Sequence, residues 1–190
     1  YFDVDIMDAE GDLELDIPNG KVIKKNYVGK NISNYDSMLV LSHFKGHPMG
    51  GYGGALKQLS IGVASSSGKT YIHTAGKTAK QEELWDNDAA SSVVNYFNGN
   101  IIYINVLCNM SVDCDCCAVA EDPCLKDIGI LASLDPVAID KASINLVKNS
   151  NDPGKEHFME RVNSRNGLHT IEEAEKHGIG SREYELVNID

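Results

Sequence analysis

Long apolar runs and basic clusters are both missing from this 190-residue sequence. No apolar stretch approaches the roughly 18 residues that a membrane-spanning helix needs, and no basic stretch is longer than Lys24–Lys25. The formal net charge is -11, which repels the phosphates of nucleic acids and of anionic membrane surfaces. We therefore predict a soluble, acidic chain that binds neither nucleic acid nor membrane.

The cysteines lack two familiar patterns. A secreted disulfide framework spreads an even number of cysteines along the chain, whereas here there are five and four of them lie between Cys108 and Cys117. Their spacing is also not the C-x-x-C-x-x-C run of ferredoxins. We expect thiols in a reducing cytoplasm, with metal or redox chemistry open to them. No signal-peptide pattern follows Tyr1, and the missing initial Met leaves open a start inside a longer protein.

The composition is that of a globular protein, with 42% hydrophobic and 24% charged residues. The length suits one domain over residues 1–190. Apolar runs and alternation predict strands, the first two joined in a hairpin, and the strands over 36–42, 100–107 and 127–133 are expected to be buried. The predicted strands cover residues 13–17, 21–28, 36–42, 100–107, 127–133 and 184–189.

Helical signals alternate with these strands and predict an α/β fold, a mixed sheet with flanking helices. Asp135 is a good N-cap, and Pro136 suits the first position of a helix that runs to Val147. Thr170 and Glu173 match a capping box that opens a helix ending near His177. Further helices are predicted over residues 89–97 and 154–164.

The segment over residues 42–62 is the richest in chemical groups. His43 and His47 can ligate a metal or move protons, and Lys57 can pair with an anion or form a covalent link. Lys45 lies between the two histidines and is predicted to help bind the cofactor. Four glycines allow close backbone approach and expose N–H groups that can bind an anionic cofactor; they are Gly50, Gly51, Gly53 and Gly54. The alternative is a tight surface loop with incidental histidines.

The cysteine segment offers a second set of ligands. Cys114 and Cys116 form a Cys-x-Cys pair whose thiolates suit zinc, copper(I) or iron–sulfur clusters. Asp113 and Asp115 would raise the thiol pKa values unless a cation is present. Two other cysteines, Cys108 and Cys117, are expected to be small buried apolar residues. His73 follows a stretch that we predict to be extended. A single histidine in such a place is usually structural or exposed.

Both chemical segments follow predicted strands. Because α/β sheets build sites at the carboxyl ends of their strands, we expect His47 and Cys114 to meet at one sheet edge. Residues 62–70 are similar to a phosphate-binding P-loop, but five residues rather than four separate Gly62 from Gly68. We therefore reject nucleotide binding by that motif. We assign no functional role to Asp140, His157, His169 or His177.

Several blocks of the chain together resemble one known family. The blocks are SHFKGHPMGGYGGALKQLSIGVASSSGK, IHTAGK, CDC, DIGILASLDPVAIDKAS and IEEAEKHGIGSREYELVNI. In this order they are similar to domain-of-unknown-function family 362, a family of iron–sulfur centre proteins, over essentially the whole chain. The resemblance implies a cytoplasmic protein of anaerobes without a settled activity.

Two departures qualify this resemblance. Many members carry a ferredoxin-like insertion after the block that here reads HTAGK, and this chain has none. Members also have an N-terminal α/β portion that is absent here, so the chain would be part of a larger two-part α/β architecture. An iron–sulfur cluster, although known in the family, is therefore not implied for this chain.

HPMGGYGGALK is also similar to a segment of nickel-pincer lactate racemases. That weaker resemblance implies an acid/base role for His47, a cofactor-anchoring role for Lys57 and a metal-ligand role for His73. The racemases lack the Cys-x-Cys pair, so a related scaffold is more credible than the same reaction.

The leading hypothesis is a metal- or cofactor-dependent protein that carries out redox or proton-transfer chemistry on a small anionic metabolite. His47, Lys57 and His43 would be catalytic, and the metal would be iron, nickel or zinc. One alternative is a non-catalytic cofactor carrier or electron-transfer module with a redox partner protein. The other is a structural zinc site made of Cys114, Cys116 and two histidines.

Overall fold

The computed structural model describes residues 4–74 and 88–189. Its strands form a central three-stranded sheet in the order β3-β6-β7 and two small hairpins, β1-β2 and β4-β5. The strands are β1 (Asp12–Asp16), β2 (Lys25–Gly29), β3 (Met38–His43), β4 (Lys45–His47), β5 (Gly51–Gly53), β6 (Ile101–Leu107) and β7 (Gly129–Ser133). The position after Lys77, where the resemblance implies a ferredoxin-like insertion in many related chains, lies outside the described ranges.

Within the described ranges, six α-helices and two irregular helical turns accompany the strands. A 3-10 turn covers Lys30–Asn34, and a π-helical turn, Gln58–Gly62, continues the first short helix. The helices are α1 (Ala55–Lys57), α2 (Ser66–Thr74), α3 (Asp88–Tyr96), α4 (Pro136–Asn149), α5 (Lys155–Ser164) and α6 (Leu168–Lys176). No described helix has the length and apolar character needed to cross a membrane.

The central sheet is mixed, which confirms the predicted fold class. β3 runs parallel to β6, with Met38 opposite Ile101 and His43 opposite Val106. β7 is antiparallel to β6. Because β3 and β6 are parallel neighbours, the chain leaves both of them at the same edge of the sheet.

The two faces of this sheet differ. Val40 and Tyr103 point into the main core, and α4 packs against β6 and β7 on that side. On the other face Leu39 is 59% exposed and Ile130 is 68% exposed. The predictions that the strands over 36–42 and 127–133 are buried are therefore wrong, because β3 buries only Val40 and Ser42 and β7 buries no side chain fully.

The predicted N-cap of α4 is confirmed. Asp135 accepts hydrogen bonds from the backbone N–H groups of Val137 and Ala138 at 2.8 and 2.9 Å, and Pro136 occupies the first helical position. These bonds satisfy two N–H groups that have no partner within the helix.

Three other predictions are wrong. His73 lies inside helix α2, where Ser65 Oγ caps the first turn by accepting the N–H of Gly68 at 3.0 Å. Thr170 does not open a helix, because α6 begins at Leu168 and Thr170 is buried within it. Residues 184–189 form no strand.

Candidate functional site

The glycine-rich segment and the cysteine loop meet at one sheet edge, as predicted. The first follows β3 and folds into the β4-β5 hairpin, and the second follows β6. One nitrogen of His47 and the sulfurs of Cys114 and Cys116 all lie within 4.8 Å of one another. This group of three residues is called the ligand cluster below.

A close backbone contact joins the two segments. The N–H of Gly46 donates to the carbonyl oxygen of Ser111 at 2.7 Å. A Cβ at Gly46 would lie only 2.2 Å from the carbonyl oxygen of Val112, so a larger residue would push the segments apart. Glycine at this position is therefore a packing requirement of the site.

The His47 ring is held by the turn that follows it. Its Nδ1 accepts the N–H groups of Gly50 at 3.0 Å and Met49 at 3.3 Å, so the proton of the neutral ring is on Nε2. The residue is only 4% exposed. Burial lowers the pKa of His47 to about 3, together with the positive charges of Lys57, His73, Lys45 and Arg161. His47 is therefore neutral at physiological pH.

The two thiols of the ligand cluster differ in their protonation. Cys114 is 2% exposed, and burial alone would raise its pKa. Hydrogen bonds from Cys116 and the charge of Lys57 outweigh burial and lower the pKa of Cys114. Lys57 Nζ lies 3.3 Å from Cys114 Sγ, and the backbone N–H of Cys116 lies 3.4 Å from it. Cys114 is thus the better thiolate of the pair.

Cys116 has the opposite character. Burial, its hydrogen bond to Cys114 and the negative charge on Cys114 raise the pKa of Cys116 to about 11. The residue is exposed. The pair therefore consists of a buried thiol that ionises more readily and an accessible thiol that ionises less readily.

A salt-bridge cluster joins the cysteine loop to the start of the glycine-rich segment. Asp115 contacts His43 Nδ1 at 3.0 Å and Lys45 Nζ at 2.9 Å. The other ring nitrogen of His43 lies 2.8 Å from the carbonyl oxygen of Cys108. Both nitrogens of His43 thus face oxygen acceptors, which suits a ring that holds the loop in place.

His73 lies near the ligand cluster but does not belong to it. Its charge is among those that lower the pKa of His47. Its Nδ1 donates to the carbonyl oxygen of Lys69 at 2.7 Å, which orients the ring.

The glycines predicted to bind a cofactor are all buried in the hairpin and its exit. Gly50 directs its N–H to His47, Gly51 and Gly53 belong to β5, and Gly54 precedes α1. Their backbone therefore shapes the site around His47 and Lys57.

Some features of the site carry little sequence signal. Arg161 of α5 binds Asp113 at 2.9 Å and so anchors the cysteine loop from a distant segment. Cys108 and Cys117, predicted to be buried, are both half-buried. Cys117 also follows Cys114 at C-x-x-C spacing, a signal present in the sequence, and its N–H donates to the Cys114 carbonyl oxygen at 2.9 Å.

Comparison with known proteins gives one match. A search of curated proteins and a search of solved structures each returned nothing that matches. The family model described as Domain of unknown function (DUF362) matches residues 2–145, which is most of the chain. The chain therefore belongs to the DUF362 family.

Proposed function

We propose that the ligand cluster binds one transition-metal ion. The observation that carries this proposal is the convergence of one imidazole nitrogen and two sulfurs within 4.8 Å. Among the residues that the structure describes, this is the one group of three or more His, Cys, Asp or Glu side chains that could hold a metal ion. Thiolate and imidazole ligands suit zinc, iron and nickel better than magnesium or calcium.

The donor set fits such an ion in size. In a tetrahedral zinc site, metal–sulfur and metal–nitrogen bonds of about 2.3 and 2.0 Å place neighbouring ligand atoms about 3.5–4 Å apart. The cluster needs only a small contraction from its present spacing. Cys116 is exposed and lies in a loop, so its side chain is the one best able to move.

Protons must leave for the metal to bind. Both thiols have to be ionised, Cys116 against its raised pKa, and His47 must either give up its Nε2 proton or release the two N–H groups that Nδ1 accepts. Lys57 and the other nearby cations partly compensate the charge of the thiolates. We expect metal affinity to fall as the pH is lowered, because protons then compete for the same atoms.

Three protein ligands leave a fourth position for water or a substrate, as in catalytic zinc sites. Lys57 and Lys45 provide positive charge beside that position, which supports redox or proton-transfer chemistry on a small anionic metabolite. The ionisable thiols suit a reducing cytoplasm. The structural alternative requires a second histidine ligand, and the cluster of described residues contains one histidine.

Metal titration of defined variants tests the proposal. Anaerobically purified protein is stripped with a chelator and titrated with cobalt(II), whose thiolate complexes absorb light. We expect one equivalent to bind, and Cys114→Ser or Cys116→Ser to weaken binding by about 100-fold or more. Cys124→Ser is the matched control, because Cys124 is half-buried and lies outside the cluster. Wild-type affinity in Cys114→Ser would contradict the proposal.

A second candidate function is a cofactor covalently anchored at Lys57. The observation that favours it is the contact of Lys57 Nζ with Cys114 Sγ at 3.3 Å, which places the amine beside the ligand cluster. Intact-mass measurement and peptide mapping of natively purified protein distinguish the two candidates. An adduct on Lys57 supports the anchored cofactor, whereas an unmodified lysine with bound metal supports the metal site alone.

A further inference from the structure

A buried carboxylate lies directly beneath the glycine-rich hairpin. Asp140 of α4 is 0% exposed. Its Oδ1 accepts hydrogen bonds from the N–H of Ala55 and from Asn105 Nδ2, both at 2.8 Å. Its Oδ2 accepts from the N–H of Leu56 at 3.1 Å and from the hydroxyl of Tyr52 at 3.2 Å. One side chain thus accepts from four donors that lie in two separate parts of the chain, residues 52–56 and Asn105.

Two of these donors, the N–H groups of Ala55 and Leu56, fix the position of Lys57. Ala55 and Leu56 are the first two residues of α1, and Lys57 is the third. A helix this short cannot satisfy its own first N–H groups, so it depends on an external acceptor. Gly54, which precedes α1, allows the carboxylate to come close, because a Cβ there would lie 2.4 Å from Asp140 Oδ1.

The same carboxylate ties the hairpin to the sheet. Asn105 belongs to β6, and its amide also donates to Ser143 Oγ of α4 at 3.0 Å. Tyr52 belongs to β5, where it pairs with Gly46 of β4. Since β6 leads into the cysteine loop, Asp140 connects both segments of the site through the core.

We propose that Asp140 is a positioning residue for the site: its hydrogen bonds to α1 and to Tyr52 hold Lys57 against Cys114. The inference rests on the proposed function in that the site it serves is the ligand cluster. Asp140 itself is not in contact with a ligand atom of that cluster. Its effect is transmitted through α1, whose last residue carries the amine that contacts the Cys114 sulfur.

An asparagine at this position keeps the shape and changes the chemistry. In Asp140→Asn the side chain has one oxygen and one NH2 group. Two of the four donors to Asp140 therefore lose their acceptor, whichever way the amide points. The N–H groups that lose charged acceptors no longer fix α1 as strongly. We expect Lys57 to leave Cys114 for part of the time.

Asp88 provides a matched control for general loss of stability. It is also a buried aspartate that binds backbone N–H groups, those of Lys21, Val22 and Ile23 at 2.9, 2.7 and 2.9 Å. These groups belong to the turn between β1 and β2, and none of them contacts the ligand cluster. Asp88→Asn therefore disturbs a comparable carboxylate without disturbing the site.

The first measurement uses metal-free protein. The rate of alkylation of Cys114 by iodoacetamide at neutral pH, read by peptide mass spectrometry with Cys124 as internal reference, reports on its contact with Lys57. We expect Asp140→Asn and Lys57→Met each to slow it several-fold, and the double variant to be no slower than Lys57→Met. Asp88→Asn should stay within twofold of wild type. Additive effects, or equal slowing by Asp88→Asn, would overturn the proposal.

The second measurement is cobalt(II) affinity. Residues that orient metal ligands typically change affinity by about 10- to 100-fold, and we expect a loss of this size in Asp140→Asn but not in Asp88→Asn. If wild-type protein binds no cobalt, the proposed function fails, while the alkylation experiment still decides the role of Asp140. If Asp140→Asn does not fold, Tyr52→Phe removes one donor with the ring retained. Slower Cys114 alkylation in Tyr52→Phe would support the proposal, and a wild-type rate would overturn it.

Discussion

Asp140 and Asp88 have similar structural roles in two different regions of the protein. Each is buried, and each binds backbone N–H groups of a segment far away in sequence. Asp140 receives its remaining hydrogen bonds from the neutral side chains of Tyr52 and Asn105. Asp88 instead has His177 Nε2 at 3.1 Å, within ion-pair distance although not in hydrogen-bonding geometry. The difference lies in the charges that surround each carboxylate.

These surroundings set the pH range in which each region changes charge. Burial raises the pKa of Asp140 to about 6, although its hydrogen bonds oppose the shift. Near Asp88, burial would also raise the pKa of Glu173, but Lys176 and Lys21 outweigh it and lower that pKa to about 2. The site region thus contains a carboxylate that titrates close to neutrality, whereas Glu173 remains ionised into strong acid.

The largest expected difference between the regions is in stability. All four donors to Asp140 are buried, so Asp140→Ala leaves them unsatisfied, and we expect it to lower the free energy of unfolding by about 4 kcal/mol. Two of the three N–H groups that bind Asp88 are only partly buried, so water can replace the carboxylate and Asp88→Ala should cost about 2 kcal/mol. Urea unfolding measures both values. Equal losses would remove the distinction between the regions.

The pH dependence of stability should have opposite signs in the two regions. The folded-state pKa of Asp140 is above its ordinary value of 3.8, so between these values the folded state binds more protons and stability falls as pH rises. From about pH 4 to 6 this amounts to about 2–3 kcal/mol, which Asp140→Asn should abolish. Glu173 has a lowered pKa, so its contribution is present above about pH 4.5 and is lost as pH falls towards 2.

Unfolding of wild type, Asp140→Asn and Glu173→Gln at several pH values measures these contributions. The wild-type minus variant difference should fall with rising pH for Asp140 and rise with rising pH for Glu173. The same sign for both would contradict the stated charge environments.

The sequence was most informative where local signals and topology agree. The apolar runs that became β3 and β6 lead directly into the glycine-rich and cysteine segments, and parallel pairing brings His47 and Cys114 together. The Asp135-Pro136 pair likewise marks the start of α4, because capping depends on neighbouring residues only.

Tertiary contacts account for what the sequence did not indicate. Asp140 is one acidic residue in a helix, and its role depends on α1 lying opposite, which no local pattern reveals. The stretch around His73 contains aromatic and β-branched residues that favour strands, yet it packs as helix α2. Residues 184–189 have strand-like composition but no pairing partner among the described strands.

The smallest expected effect is the loss of stability on acidification that each histidine causes. It distinguishes buried His47, close to several cations, from exposed His157. His47 has a pKa of about 3 because of burial and nearby cations, so in the folded state it stays neutral while an unfolded histidine gains a proton below about pH 6.5. Stability is therefore lost as the pH falls through this range, by about 2 kcal/mol between pH 6.5 and 5. His47→Asn should remove this loss, whereas His157→Asn, at an exposed ion pair with Glu121, should retain it. Urea unfolding at the two pH values measures both variants, and an unchanged loss in His47→Asn would show that His47 is not held neutral.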